Sequence, residues 1–276
     1  MKFKKNVLAS SYGMLASCLV CASATTADAA ANDKFQNAPT AARQVFGRIS
    51  AAVPRIADSN GEIPAGDLVA DAQLMATQPA NLGYAQIALV NPSALGNGLS
   101  GKLYPHDISY NELRALQPQG VALITMSLTA QQLKYVLEQQ FVGCGTQTRQ
   151  SILQVSNGFS FSWKSEGGTC SKIWDVKLMH IDFSRRQPAP SGTTDVIVSG
   201  GVVLNPEKNY RVTVNESLAK GADNFSLLKD GFSPTEGVND IDALADYLEN
   251  FNPPKPSYDP SGDSLNKPRI MQLPTP

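Results

Sequence analysis

The sequence predicts a layered α/β (α+β) fold, in which mixed β-sheets pack against isolated helices. Two capping boxes, beginning at Ser109 and Thr129, each place a Glu or Gln three residues after the hydroxyl and precede helically spaced leucines. Three aromatic residues alternate with serine over 159–163, which is the period of a half-buried strand. Short apolar runs lie between the helical segments, so we expect strands and helices to alternate along the chain.

The other elements follow in chain order. Residues 41–57 carry apolar side chains at helical spacing but are interrupted by Pro54, which leaves a helix and an extended lead-in both open. A helix is predicted after Pro64, and a last helix begins at Asn239, which we expect to cap it. Strands are predicted over the apolar runs 84–90, 121–128, 152–155, 159–163, 195–199, 201–204 and 210–214.

The N-terminus has the composition of an export signal. Three lysines in the first five residues precede an apolar run, and small residues end it near Ala29, which predicts a signal peptide over 1–29. A competing interpretation is the bacterial lipoprotein box 15–18 (LASC), in which Cys18 would be lipidated. The first interpretation predicts a periplasmic or secreted protein, and the second predicts an outer-membrane lipoprotein whose only membrane contact is the lipid anchor.

The cysteine pattern predicts one disulfide. Cleavage after Ala29 leaves two of the four cysteines, Cys144 and Cys170, and paired cysteines in an exported chain favour a disulfide. In the chain-entropy model, closing a loop of about 27 residues stabilises the fold by roughly 3–4 kcal/mol. The two histidines, His106 and His180, have no metal-ligand spacing to these cysteines, so no metal site is predicted.

The charge balance excludes some partner classes. With 23 basic and 24 acidic residues the formal net charge is −1, which provides no field for attracting a nucleic acid polymer. A phosphate ligand would therefore need local cations. The sequence also carries no nucleophile elbow and no Walker-type phosphate loop, so no catalytic residue is predicted.

Seven short blocks, in this order, resemble the C-terminal domain of secreted 5'-nucleotidases. They are 61–72 (GEIPAGDLVADA), 91–96 (NPSALG), 108–113 (ISYNEL), 128–133 (LTAQQL), 153–156 (LQVS), 210–215 (YRVTVN) and 221–225 (GADNF). The resemblance covers about residues 41–249. Together with the N-terminal composition and the seven prolines of the last 26 residues, it divides the chain into a signal peptide at 1–29, a linker at 30–40, the nucleotidase C-terminal-like domain at 41–250 and a proline-rich surface tail at 251–276.

The resemblance also implies a degenerate nucleotide site. Asn91 and Asp223 match substrate-contacting positions, and Phe225 matches one of two rings that stack on the base. The second ring is replaced by Gln119, and the arginine that holds the nucleotide is replaced by Gly96. Such a loss weakens binding by about tenfold to a hundredfold or more. The plainer alternatives are a core phenylalanine at 225 and turn-forming side chains at 91 and 223.

Family nucleotidases cleave phosphate in a separate N-terminal domain with two metal ions, and no matching motif occurs in this chain. We therefore expect no activity from it alone, and divalent metals only if a catalytic domain pairs with it. Three hypotheses follow. The chain is a degenerate nucleoside- or nucleotide-binding module linked to nucleotide catabolism, the substrate-binding subunit of a two-chain nucleotidase with a separate metallophosphatase, or a non-binding envelope scaffold.

Overall fold

The computed structural model describes residues 44–182, 189–190, 192–261 and 268–274. Its strands are β1 (Val45–Ile49), β2 (Ile87–Val90), β3 (His106–Ser109), β4 (Ala122–Thr129), β5 (Gln154–Val155), β6 (Phe159–Lys164), β7 (Ile173–Leu178), β8 (Ile181–Asp182), β9 (Ala189–Pro190), β10 (Asp195–Ser199), β11 (Val202–Val203), β12 (Asn209–Asn215), β13 (Phe232–Asn239) and β14 (Ile270–Leu273). Its helices are α1 (Pro64–Thr77), α2 (Tyr110–Leu116), α3 (Ala130–Glu138), α4 (Glu216–Ala219) and α5 (Asp240–Leu248).

The first five-stranded sheet has the order β13-β4-β12-β2-β5. Strands β12 and β2 run parallel, whereas the other neighbours in this sheet are antiparallel. Helix α1 packs against β2 and β5. Because β2 and β12 are parallel neighbours, the loops that leave their carboxyl ends emerge side by side at one edge of the sheet.

The second five-stranded sheet has the order β11-β10-β7-β6-β14, with β14 parallel to β6. The alternation predicted for 159–163 is confirmed, because all three aromatic side chains of that stretch are buried on one face. One hydrophobic cluster joins the two sheets and α3, which makes a shared core between the layers. The mixed α/β architecture agrees with the fold class predicted from the sequence.

The predicted helix starts are largely confirmed. The Glu112 carboxylate accepts the Ser109 backbone N–H at 2.9 Å, at the start of α2. At the start of α3, the Gln132 backbone N–H donates to the Thr129 hydroxyl at 3.1 Å. The Gln132 side-chain oxygen accepts the Thr129 backbone N–H at 2.9 Å. Asn239 is the first residue before α5, but within the described residues its side chain makes no capping hydrogen bond.

The helical interpretation of residues 41–57 is wrong for the part that the structure describes. Residues 45–49 form β1, which pairs antiparallel with β3. Val53 then bridges to Leu99, with its N–H donated to the Leu99 carbonyl at 2.8 Å. Tertiary pairing therefore overrides the helical spacing, and Pro54 favours the extended course.

The predicted surface tail at 251–276 is wrong for two of its parts. Tyr258 is buried, and its backbone N–H donates to the Arg48 carbonyl at 2.7 Å. Arg269 is 1% exposed and leads into β14, which completes the second sheet. Seven prolines in this stretch suggested a surface course. A parallel edge strand of four residues carries no such local signal, because its partners lie more than a hundred residues away.

The predicted signal peptide, Cys18 and the linker at 30–40 lie outside the described residues. Among the residues that the structure describes, no helix is both long and apolar enough to cross a membrane.

Candidate functional site

The candidate site lies where β2 and β12 end. The loop 91–96 follows β2, and α4 with the 3-10 turn Ala222–Asn224 follows β12. Asn91 and Asp223 are far apart in sequence, but this parallel arrangement brings their side chains into contact. Ligands of α/β proteins commonly bind outside the carboxyl ends of parallel strands, and the same topology occurs here over one strand pair.

Asn91 is the centre of a hydrogen-bond network. Its side-chain nitrogen donates to the Ser93 hydroxyl and to Asp223 Oδ2, each at 2.8 Å. Its side-chain oxygen accepts the amide of Asn215 at 3.0 Å, and Asn215 in turn accepts the Leu218 N–H at 2.7 Å, which caps α4. Asn91 is 2% exposed. Its amide is therefore satisfied within the protein, and it positions the loops rather than facing solvent.

Asp223 is held in one orientation by this network. Its backbone is left-handed, with φ 53° and ψ 27°, a conformation that Asp tolerates better than most residues. Oδ2 accepts from Asn91 and from the Ser93 hydroxyl, while Oδ1 faces the Arg149 guanidinium at 3.6 Å. The Asp223 side chain is 16% exposed. One carboxylate oxygen is thus used internally, and the other points toward an exposed cation.

The glycine that replaces the family arginine is enclosed by backbone. The Gly96 N–H donates to the Leu116 carbonyl at 2.8 Å. A Cβ at this position would lie 2.0 Å from the Ala115 carbonyl oxygen and 3.2 Å from Pro118 Cδ. No side chain fits there unless the backbone moves. The path of the loop therefore restricts position 96 to glycine.

An arginine from another segment supports the same loop. Arg55 donates from Nε to the Leu95 carbonyl at 2.8 Å and from Nη2 to the Pro92 carbonyl at 3.1 Å. Sequence reasoning assigned no role to Arg55, which lies 40 residues before Leu95 in the chain. Its contact depends on the pairing between Val53 and Leu99, which no local pattern encodes.

The predicted base-stacking residues are placed differently. Phe225 has no exposed surface and belongs to the hydrophobic core, so in this conformation its ring presents no open face to a base. That placement agrees with the alternative of a core phenylalanine. Gln119 is exposed, and its Oε1 accepts the Ser217 hydroxyl at 3.4 Å, beside the start of α4. A polar amide therefore stands near the site where the resemblance implies a ring.

The disulfide predicted between Cys144 and Cys170 is present, with a Cα–Cα distance of 4.9 Å. It anchors a loop that borders the site. From this loop Gln147, which is buried, donates its amide to the Gln139 carbonyl at 2.9 Å and to the Asp223 carbonyl at 3.0 Å. The loop also carries Arg149. Sequence reasoning found the cysteines but missed the site residues between them.

The described residues contain no group of three or more His, Cys, Asp or Glu side chains placed to hold a metal ion. His106 Nε2 lies 2.7 Å from Glu112 Oε1, at the capping box of α2. Burial raises the pKa of the Glu112 carboxyl, but hydrogen bonds from Ser109 and His106 outweigh it and hold the pKa below its usual value. This histidine therefore belongs to a structural contact.

Comparison with known proteins agrees with this architecture. Residues 44–230 match the family model described as "5'-nucleotidase, C-terminal domain". A 5'-nucleotidase-related protein of Glossina morsitans morsitans is 26% identical over 220 residues, which is 77% of this chain and 36% of that protein.

Two solved structures share the fold at low sequence identity. The 5'-nucleotidase precursor from Thermus thermophilus is 22% identical with a TM-score of 0.61, over 88% of this chain and 42% of that one. The NAD nucleotidase of Haemophilus influenzae is 14% identical with a TM-score of 0.58, over 86% and 39%. The chain spans less than half the length of each of these proteins. It belongs to the 5'-nucleotidase C-terminal domain family.

Proposed function

We propose that this chain is an exported binding module of nucleotide catabolism, which takes a nucleoside or nucleotide and has no catalytic metal site of its own. The observation that carries the proposal is the Asp223 carboxylate, which Asn91 holds through Oδ2 while Oδ1 faces the exposed Arg149 guanidinium at 3.6 Å. A fixed carboxylate beside the exposed hydroxyl of Ser93 suits the vicinal hydroxyl groups of a ribose, which donate hydrogen bonds.

Two observations support the degenerate character of the module. The backbone closes on Gly96, so that loop supplies no guanidinium for a phosphate. Phe225 is buried, so a base would lack this stacking surface. Since base stacking and phosphate contacts provide much of the affinity for a nucleotide, we expect binding in the micromolar-to-millimolar range rather than the nanomolar range.

Calorimetric titration of the mature chain with adenosine, AMP and UMP tests binding. Asp223→Asn keeps the shape of the side chain but removes its charge, and we expect it to weaken binding by about tenfold. Asp230→Asn is the matched control, because Asp230 is an exposed carboxylate outside this network. Thermal melts establish that both variants are folded. No heat and no thermal shift with any ligand at millimolar concentration would refute the proposal.

A second candidate is the substrate-binding part of a two-component nucleotidase. The chain spans 36% of its Glossina relative and 42% of the Thermus nucleotidase, and the remainder of such proteins leaves room for a catalytic domain. A metallophosphatase, on this polypeptide or on a separate one, would supply the metal ions. AMP hydrolysis is measured with a candidate metallophosphatase and a divalent cation, with and without this chain. A rate that does not depend on this chain contradicts the idea.

Export and anchoring complete the proposal. The basic and apolar N-terminal segment supports export. The mass of the mature N-terminus separates the two routes. A chain beginning at Ala30 is freely periplasmic or secreted, whereas a diacylated Cys18 is membrane-anchored. A full-length mass with Met1 retained in the exported fraction contradicts both routes. An anchored chain that binds no nucleoside fits the envelope scaffold instead.

A further inference from the structure

We propose that Arg149 determines whether this site prefers an anionic or a neutral ligand, with a nucleoside 5'-monophosphate as the preferred class. The inference rests on the proposed function and adds the residue that recognises the phosphate. It assigns the role to a loop outside the segment 91–96, which carries the family arginine position.

The segment 91–96 supplies no cation for a ligand. At Gly96, which matches the position of the family arginine, an added Cβ would lie 2.0 Å from the Ala115 carbonyl oxygen. The nearby cation, Arg55, directs two donors to the carbonyls of Leu95 and Pro92. That guanidinium is engaged in holding the loop, so a phosphate at this edge would need another partner.

Arg149 is placed to be that partner. Its Nη2 lies 3.6 Å from Asp223 Oδ1, which is longer than a hydrogen bond, and its side chain is 69% exposed. Within the described part of the chain its guanidinium makes no hydrogen bond. An exposed ion pair of this kind contributes little stability. The donors of Arg149 therefore stay available for bidentate bonds to a phosphate, the geometry for which a guanidinium is suited.

The loop that carries Arg149 is held at several points, whereas the Arg149 side chain is largely exposed. The Cys144–Cys170 disulfide anchors its start. The Gln147 amide joins its middle to the Asp223 carbonyl at 3.0 Å, and the Ser151 N–H donates to the Gln140 carbonyl at 2.9 Å at its end. Binding would thus order one side chain rather than a whole loop, which lowers the entropic cost of recognition.

The same position gives Arg149 opposite effects on two ligand classes. A neutral nucleoside whose ribose hydroxyl donates a hydrogen bond to Asp223 Oδ1 has to share this oxygen with the Arg149 guanidinium. A nucleoside monophosphate gains charge-assisted bonds that compensate for the sharing. Removal of the Arg149 charge is therefore expected to weaken AMP binding and to leave adenosine binding unchanged or slightly stronger.

The test is the ratio of the adenosine and AMP dissociation constants, measured by calorimetry for the wild type, Arg149→Gln and Arg149→Lys. The wild type is expected to bind AMP more tightly. Arg149→Gln is expected to reduce the ratio about tenfold, whereas Arg149→Lys keeps a preference for AMP because the charge remains. Lys177→Gln is the control, since it removes an equal charge from an exposed position on the second sheet.

The outcomes separate the inference from the proposed function. Adenosine and AMP binding with equal affinity in the wild type, or an unchanged ratio in Arg149→Gln, overturns the role of Arg149 and leaves the binding module intact. No binding of either ligand overturns both. A ratio that falls equally in Lys177→Gln also overturns the inference, because it would show that only the overall charge matters.

Discussion

Replacement of Arg269 by methionine tests whether the end of the chain is part of the folded unit. Arg269 donates hydrogen bonds from Nη1 and Nη2 to the two Asp71 carboxylate oxygens, at 2.7 and 2.8 Å. Its Nη1 also donates to the Val155 carbonyl at 2.8 Å. Burial alone would lower the pKa of Arg269, but the adjoining Asp71 carboxylate raises it above its ordinary value, so the side chain stays charged. Methionine retains much of the apolar volume and removes every one of these bonds.

The expected magnitude follows from the burial of both partners. Asp71 and Arg269 each expose 1% of their side chains, so the variant leaves a carboxylate buried without its cation. Breaking a buried pair in this way costs about 3–5 kcal/mol. With a urea m-value of about 1–3 kcal/mol/M, the unfolding midpoint should fall by roughly 1 M or more. Urea unfolding at pH 7, followed by circular dichroism, measures this change.

Two further variants identify the cause. Met271→Gln alters a partly exposed residue of the same strand and is expected to change the free energy of unfolding by less than about 0.5 kcal/mol. Asp71→Asn, added to Arg269→Met, removes the unpaired charge and should recover about 1 kcal/mol or more. A loss below about 1 kcal/mol for Arg269→Met would refute the reasoning, because residues 269–273 would then behave as the surface tail that their composition suggests.

Three other perturbations have defined outcomes. Burial, more than repulsion from neighbouring carboxylates, raises the pKa of Asp67 well above its ordinary value of about 3.9 despite the nearby arginine. The native state therefore favours the protonated acid. This preference stabilises the fold fully at pH values below the ordinary pKa, and the stabilisation is lost as the pH rises through the folded pKa. Asp67→Asn should then become progressively more stable than the wild type as the pH rises above about 5 in urea unfolding, and a pH-independent difference contradicts this. Joint replacement of Cys144 and Cys170 by serine should cost roughly 3–4 kcal/mol and abolish the effect of dithiothreitol on the melting temperature; a wild type insensitive to dithiothreitol contradicts it. Gly96→Ala should cost about 1–3 kcal/mol in urea unfolding, whereas Gly168→Ala, where an added Cβ meets nothing within 4 Å, should be near neutral, and equal costs contradict the close packing at position 96.

The elements that could be predicted from the sequence are those with local signals. The two capping boxes fix helix starts through neighbours three residues away. One pairs Ser109 with Glu112, and the other pairs Thr129 with Gln132. The aromatic alternation over 159–163 fixes a face of one strand. Strand β14 has no such signal, since its register with β6 depends on a partner more than a hundred residues away. Composition therefore misled at the end of the chain, where the fold is closed by long-range pairing and by Arg269.

The site shows the same division. The family resemblance predicted Asn91, Asp223 and Gly96 as site positions, because each belongs to a recognisable block, and the structure brings Asn91 and Asp223 into contact. Gln147 and Arg149 could not, since their contact with Asp223 crosses more than seventy residues and depends on the loop anchored by the disulfide. The sequence shows that position 96 is a glycine, but only the structure shows that the Ala115 carbonyl oxygen lies too close to admit a side chain there.

Family residues that persist at this site do not by themselves imply a ligand. Asn91 makes three internal hydrogen bonds and joins the ends of β2 and β12, so a need for stability would preserve it even in a protein that binds nothing. Asp223 differs, because its second oxygen has no hydrogen bond among the described residues and faces an exposed guanidinium. Substitution of Asn91 would disturb fold and binding together. Among substitutions at this site, those at Asp223 and Arg149 therefore test ligand binding more directly than those at Asn91.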